Sequence, residues 1–119
     1  MTELSQVDFS GEDVVVARLT GEIDLSNAHE VGETLAGAVP NTALGLVIDL
    51  TATAYLDSSG VHLLFELAER LQRRQQQLRV VVPEGGAIRR VLRIVELEAT
   101  VPILSDVDKA VEQIRAAAT

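Results

Sequence analysis

Leu46-Val47-Ile48-Asp49-Leu50 is followed by Thr51 to Leu56, by Asp57-Ser58-Ser59-Gly60, and then by Val61, Leu64, Phe65, Ala68 and Leu71 at steps of three and four. The first run is apolar nearly throughout and bounded by Gly45 and Thr51-Ala52-Thr53, the pattern of a central strand buried on both faces. The last set has Glu66, Glu69, Arg70 and Arg73 elsewhere on the wheel, which predicts an amphipathic helix from Gly60 to about Gln75. A buried strand that feeds a helix through a polar turn is the building unit of a parallel sheet.

The flanking sequence extends this rhythm in both directions. Towards the N-terminus, Val14 to Leu19 is a β-branched run after the turn-like Gly11-Glu12-Asp13, and Val7 to Phe9 is placed to pair with it as a hairpin. Asn27 and Glu30 have the spacing of a capping box, and Ala28, Val31, Leu35 and Ala38 predict a helix over 27–38 that Pro40 ends. Towards the C-terminus, Leu78 to Val82 reads as a strand closed by Pro83. Gly85-Gly86 then opens a shorter helix with Ile88, Val91, Leu92 and Val95 on one face. Val101 to Leu104 is a last strand, and Asp106 caps a helix carrying Val107, Ala110, Val111, Ile114 and Ala117. The expected fold class is α/β: one domain over residues 1–119, with a mixed, mainly parallel sheet of about five strands and about four helices packed on it.

Composition bounds the function. With 119 residues and 47% hydrophobic content, almost all of it aliphatic, the chain has the material for a single core. There are no cysteines, which removes disulfides and thiolate chemistry. Met1-Thr2-Glu3-Leu4 lacks the charged and apolar regions of a signal peptide. No apolar stretch approaches the roughly 18 residues of a membrane span, so a cytoplasmic protein without membrane insertion is expected.

A formal charge of -8 and 3% aromatic content argue against direct nucleic-acid binding. Residues 1 to 69 hold twelve of the eighteen acids and one basic residue, Arg18, a local balance of -11 that suits a basic partner. Between Arg70 and Arg93, seven arginines (Arg70, Arg73, Arg74, Arg79, Arg89, Arg90 and Arg93) meet a single acid, Glu84. That run reads either as an anion or partner patch or as the solvated outside of two helices.

The candidate site is Asp57-Ser58-Ser59-Gly60, at what should be a carboxyl end of the sheet, where ligand and partner sites concentrate. A hydroxyl at a helix N-terminus lies beside unsatisfied peptide N–H groups and the positive end of the helix dipole. A phosphate on Ser58 would be held there at little structural cost. The same residues also read as ordinary N-capping residues, with Gly60 in a tight turn. No Gly-x-Ser-x-Gly elbow surrounds Ser58, and His29 lies on another helix than His62, so a serine hydrolase is not indicated. Gly85-Gly86 is too sparse for a phosphate loop and neither histidine has a metal-ligand pattern, so no cofactor or metal is expected.

Leu19-Thr20-Gly21-Glu22-Ile23-Asp24, Leu46 to Leu50 and Tyr55-Leu56-Asp57-Ser58-Ser59-Gly60-Val61, in this order, resemble the STAS domain over nearly the whole chain. Stand-alone STAS proteins of this length resemble anti-sigma factor antagonists, which bind an anti-sigma factor that is itself a serine kinase and so free a sigma factor. The resemblance implies a non-enzymatic protein-binding switch. Ser58 is then the phosphoacceptor, Ser59 a second choice, ATP is bound by the kinase, and a serine phosphatase resets the switch. It further implies partner contact by Asp24, Asp57, Ser58, Ser59 and Gly60, although Asp24 reads equally as a helix-entry acid; His62, four residues after Ser58, is a further contact candidate that also reads as an ordinary surface histidine. The family often continues Leu-Gly after Gly60, where this chain has Val61-His62. The alternative is a non-catalytic STAS subunit of a signalling scaffold or of a transporter ATPase complex.

Overall fold

The computed structural model describes residues 6–118. β1 (Gln6–Ser10) and β2 (Val14–Ile23) form the expected antiparallel hairpin, in register from Gln6 opposite Thr20 to Ser10 opposite Val16. β2 runs on past the expected Leu19 to Ile23. After α1 (Ala28–Ala38), β3 (Gly45–Asp49) lies parallel to the first half of β2, and all five of its residues are buried. β5 (Gln77–Val81) is parallel to β3, and the two-residue β6 (Ile103–Leu104) is parallel to β5.

A further strand, β4 (Thr53–Leu56), pairs in parallel with the end of β2, from Gly21 opposite Thr53 to Ile23 opposite Leu56. The mixed sheet therefore has six strands instead of about five, ordered β1-β2-β3-β5-β6 with β4 on β2. Thr51 to Leu56 offers no strand pattern because burial in β4 does not alternate: Ala54 and Tyr55 both face outwards. Only Thr53 and Leu56 are buried, and the Thr53 hydroxyl donates to the Leu19 carbonyl at 2.7 Å.

Strand alternation sends side chains to two cores. Val15, Ala17, Leu19, Leu46, Ile48, Leu78 and Val80 pack beneath α1, α2 (Ser58–Arg73) and α3 (Ala87–Ile94). Val14, Val47 and Val81 pack beneath Ala110 and Ile114 of α4 (Val107–Ala117) on the opposite face. β3 feeds both layers, as its unbroken apolar run predicts. Burial of each such leucine or isoleucine contributes about 1.5–3 kcal/mol. Asp49, at the end of β3, is buried but not alone. It accepts from Arg18 Nε at 3.3 Å and from the Thr51 N–H at 3.0 Å, as a buried carboxylate requires.

Three local expectations change. Asn27 does not build a capping box with Glu30; its side chain instead bridges backwards, to the Glu22 carbonyl and the Asp24 N–H. In α3 only Leu92 is buried, while Ile94 and Val95 lie at the surface.

The arginine run is neither one patch nor simply solvated. Arg74 donates to the Val39 carbonyl and to Asn41, Arg89 donates to the Val82 carbonyl, and Arg70 and Arg73 pair with Glu33 and Glu69. Arg79 points from β5 into the protein and donates to Gln113, Gln77 and the Leu78 carbonyl; burial lowers its pKa.

Candidate functional site

Ile23 and Leu56 are register partners at the carboxyl ends of two paired parallel strands, so Asp24 and Asp57 leave the sheet side by side. The β2–β4 register shifts between Gly21 and Glu22, where Ala54 is the extra residue on β4, and Gly21 has a φ of +98°. A side chain would be strained there, which accounts for glycine in Gly21-Glu22-Ile23-Asp24.

Asp57 joins the two loops. Its Oδ1 accepts from the Ser59 N–H at 2.8 Å and the Gly60 N–H at 3.2 Å, capping α2, and its Oδ2 accepts from the Leu25 N–H at 3.2 Å. Its own N–H donates to the Ile23 carbonyl at 3.2 Å. The 24–27 loop closes on itself in a similar way. Asp24 Oδ1 accepts from the Ser26 N–H at 2.9 Å and from the Ser26 hydroxyl, and the Asp24 carbonyl accepts from the Ala28 N–H at 2.8 Å. Asn27, buried beneath, donates to the Glu22 carbonyl at 2.8 Å and accepts from the Asp24 N–H at 3.0 Å. The carboxylate of Asp24 is thereby both a loop closure and a surface charge.

Ser58 is the first residue of α2 and is exposed, and among the described residues its hydroxyl has no hydrogen-bond partner. Ser59 is half-buried. Gly60 is buried against the sheet, where a Cβ would lie 2.3 Å from Leu56 Cδ1 and 3.2 Å from Ile23 Cγ2; its part is to let α2 start close to the strand ends. The expectation that free peptide N–H groups await a phosphate is corrected at two positions, because Asp57 already occupies those of Ser59 and Gly60. The dipole of α2 still favours an anion at Ser58.

His62, one turn after Ser58, shares its face because α2 begins at Ser58. Its side chain is 74% exposed and its Nε2 meets Glu66 Oε1. No hydrogen bond links His62 to the Ser58 hydroxyl among the described residues, so the pair does not form an activated nucleophile.

A groove of about 710 Å³ runs between α1 and α2 from this corner, with Ser58, His62, His29 and Leu25 at one end and Arg70 and Arg73 at the other. Its floor is apolar, formed by Ala28, Leu63 and Leu67. Acids also line the groove beyond the loop end, at Glu33, Glu66 and Glu69, where Arg70 and Arg73 stand among them. Farther along, Arg70 donates to Glu33 at 2.9 Å, and this bond holds the Glu33 carboxyl below its ordinary pKa.

Two surface residues escaped sequence reasoning. Leu25 is 83% exposed between Asp24 and Ser26, and Tyr55, the register partner of Glu22, is 49% exposed. The signal available was an apolar residue inside a polar turn, where no periodicity requires one.

A hairpin leading into a parallel sheet, helices on both faces, and two stitched loops at the carboxyl ends of β2 and β4 define a class of small α/β domain. The chain belongs to the STAS domain family, whose model matches residues 2–110. It is 31% identical over 102 residues to the anti-sigma-F factor antagonist RsfB of Mycobacterium tuberculosis, covering 86% of this chain and 82% of that protein. An anti-sigma factor antagonist from Mycobacterium paratuberculosis superposes with a TM-score of 0.80 at 30% identity, covering 93% of this chain and 92% of that one. The unphosphorylated form of the anti-sigma factor antagonist SpoIIAA shares the fold, with a TM-score of 0.75 at 19% identity over 94% of this chain and 96% of that one. Among the described residues no helix is long and apolar enough to cross a membrane.

Proposed function

We propose that this chain is an anti-sigma factor antagonist: a protein-binding switch that holds an anti-sigma factor through the corner formed by residues 22–27 and 57–62 and releases it when Ser58 is phosphorylated. The observation that carries this reading is the exposed, unbonded hydroxyl of Ser58 at the start of α2, beside a loop that Asp57 fixes in place. The mycobacterial relatives described as anti-sigma factor antagonists support it.

Asp24, Ser58, Ser59 and His62 supply the polar contact in this proposal, with Leu25 as its apolar anchor. Asp57 and Gly60 act by shaping the loop. The partner is a serine kinase that brings its own ATP, and a serine phosphatase restores the binding form. Phosphorylation adds about 1.5 to 2 negative charges next to Asp57 and Asp24. A charge of that size, desolvated against a partner that matched the free hydroxyl, opposes binding by several kcal/mol, on the order of 3–5.

The test is labelling by the cognate kinase with ATP. Wild type and Ser59→Ala take up label and Ser58→Ala does not; labelling that survives in Ser58→Ala removes Ser58 as the acceptor. Pull-down separates this reading from a scaffold or transporter subunit: the antagonist reading requires a serine-kinase ATPase as principal partner.

A further inference from the structure

Ser58 and His62 stand one turn apart on one face of α2, at the spacing where side chains meet, with Cβ atoms about 5–6 Å apart. In the present structure His62 turns the other way, to Glu66, with both side chains largely exposed. When His62 is protonated, that pairing has the less favourable order, with the base N-terminal to the acid. An anion on Ser58 would reverse that order. The acid would precede the base, and it would sit where the dipole attracts it.

The alternatives for holding such an anion are few. The Ser59 and Gly60 N–H groups are committed to Asp57 Oδ1. Asp57 is a carboxylate and repels a phosphate dianion. Arg70 lies twelve residues further along α2, about 18 Å at the rise of an α-helix, and is engaged by Glu33. His29 approaches from α1 across the groove, together with Glu33 on the same helix.

We propose, on the reading of Ser58 given above, that His62 is the counter-ion of phosphorylated Ser58: the imidazolium leaves Glu66 and donates to a phosphate oxygen. The titratable groups around it are Ser58 and Glu66 on its own helix, Asp57 at the cap beyond Ser58, and His29 and Glu33 of α1, which line the same groove. The exchange of partners pulls the added charge onto the helix and takes His62 out of the partner-facing surface, so one modification alters two contact residues.

The test uses the full chain with phosphoserine encoded at position 58, which needs no kinase. A 31P titration should place the phosphate midpoint lower by roughly 0.3 pH unit in the otherwise wild-type chain than in His62→Gln, the equivalent of one i,i+4 ion pair. The ring nitrogens of His62 should shift on phosphorylation while those of His29 stay fixed. Equal midpoints in the two chains, or a shift at His29 in place of His62, overturn the assignment. Kinase labelling is a separate readout: a shifted midpoint in a chain whose Ser58 no kinase labels leaves the pair standing and retracts the switch.

Discussion

Replacing Asp57 separates the two tasks that one carboxylate performs. Asp57→Ala removes the acceptor of the Ser59 and Gly60 N–H groups at 2.8 and 3.2 Å, and the acceptor of the Leu25 N–H at 3.2 Å. Losing an N-cap costs about 1 kcal/mol, and losing the half-exposed tie to Leu25 about 0.5–1 kcal/mol more. A total of roughly 1.5–2 kcal/mol should appear in urea denaturation as a lower midpoint with an unchanged slope. Asp57→Asn is the informative partner, because asparagine caps a helix about as well as aspartate but has one acceptor oxygen instead of two. It should keep the cap and lose only the tie, about 0.5–1 kcal/mol, while amide exchange at Leu25 accelerates as in Asp57→Ala. Unchanged exchange at Leu25 in both variants, or a stability loss in Asp57→Ala below about 0.3 kcal/mol, would refute the account of how the loops are joined.

Three further outcomes follow from the same structure. Asn27→Ala leaves the Glu22 carbonyl and the Asp24 N–H without their partner in a buried position and should cost about 1–3 kcal/mol by urea denaturation, far above the few tenths expected if Asn27 were only a frayed cap. Leu25→Ala should leave the thermal midpoint unchanged, since Leu25 is 83% exposed, yet weaken anti-sigma factor binding about tenfold in a calorimetric titration. Arg115 donates to both Asp13 oxygens, at 2.8 and 2.9 Å, and holds the Asp13 carboxyl below its ordinary pKa. A carboxyl lowered in the folded state adds stability that is present above the unfolded pKa of about 3.9 and is lost as pH falls through the folded value. The stability difference between wild type and Asp13→Asn should therefore be present at pH 7 and close below pH 4, and a gap that widens on acidification would count against it.

Much of this fold can be read from residue patterns because burial forces them. β3 must be apolar throughout to face two layers of helices, and α2 must repeat Leu64, Ala68 and Leu71 to cover one of them. β4 escapes the same reading because its two outward residues, Ala54 and Tyr55, are adjacent where a bulge opposite the Gly21–Glu22 step breaks the alternation, which no periodicity announces. Asn27 has the spacing of a capping box with Glu30, but its partners lie behind it, at Glu22 and Asp24, where only the folded loop brings them. Periodicity identified an apolar stripe in α3, Ile88, Val91, Leu92 and Val95, without saying how much of it would be covered, and Val95 is not. At the site, the exposed hydroxyl of Ser58 at a helix start follows from strand, turn and helix in sequence. The stitching of the two loops by Asp57, and the position of Leu25 beside them, do not.

In the proposed switch, a phosphate on Ser58 closes a surface that the free hydroxyl leaves open. The direct measurement is a calorimetric titration of the anti-sigma factor with three forms of the full chain: unmodified, phosphoserine at 58 and phosphoserine at 59. The unmodified form should bind, and phosphoserine at 58 should weaken binding by at least about 100-fold, roughly 2.7 kcal/mol, with a smaller loss for phosphoserine at 59. Equal affinity of the unmodified chain and the chain phosphorylated at Ser58 would contradict it.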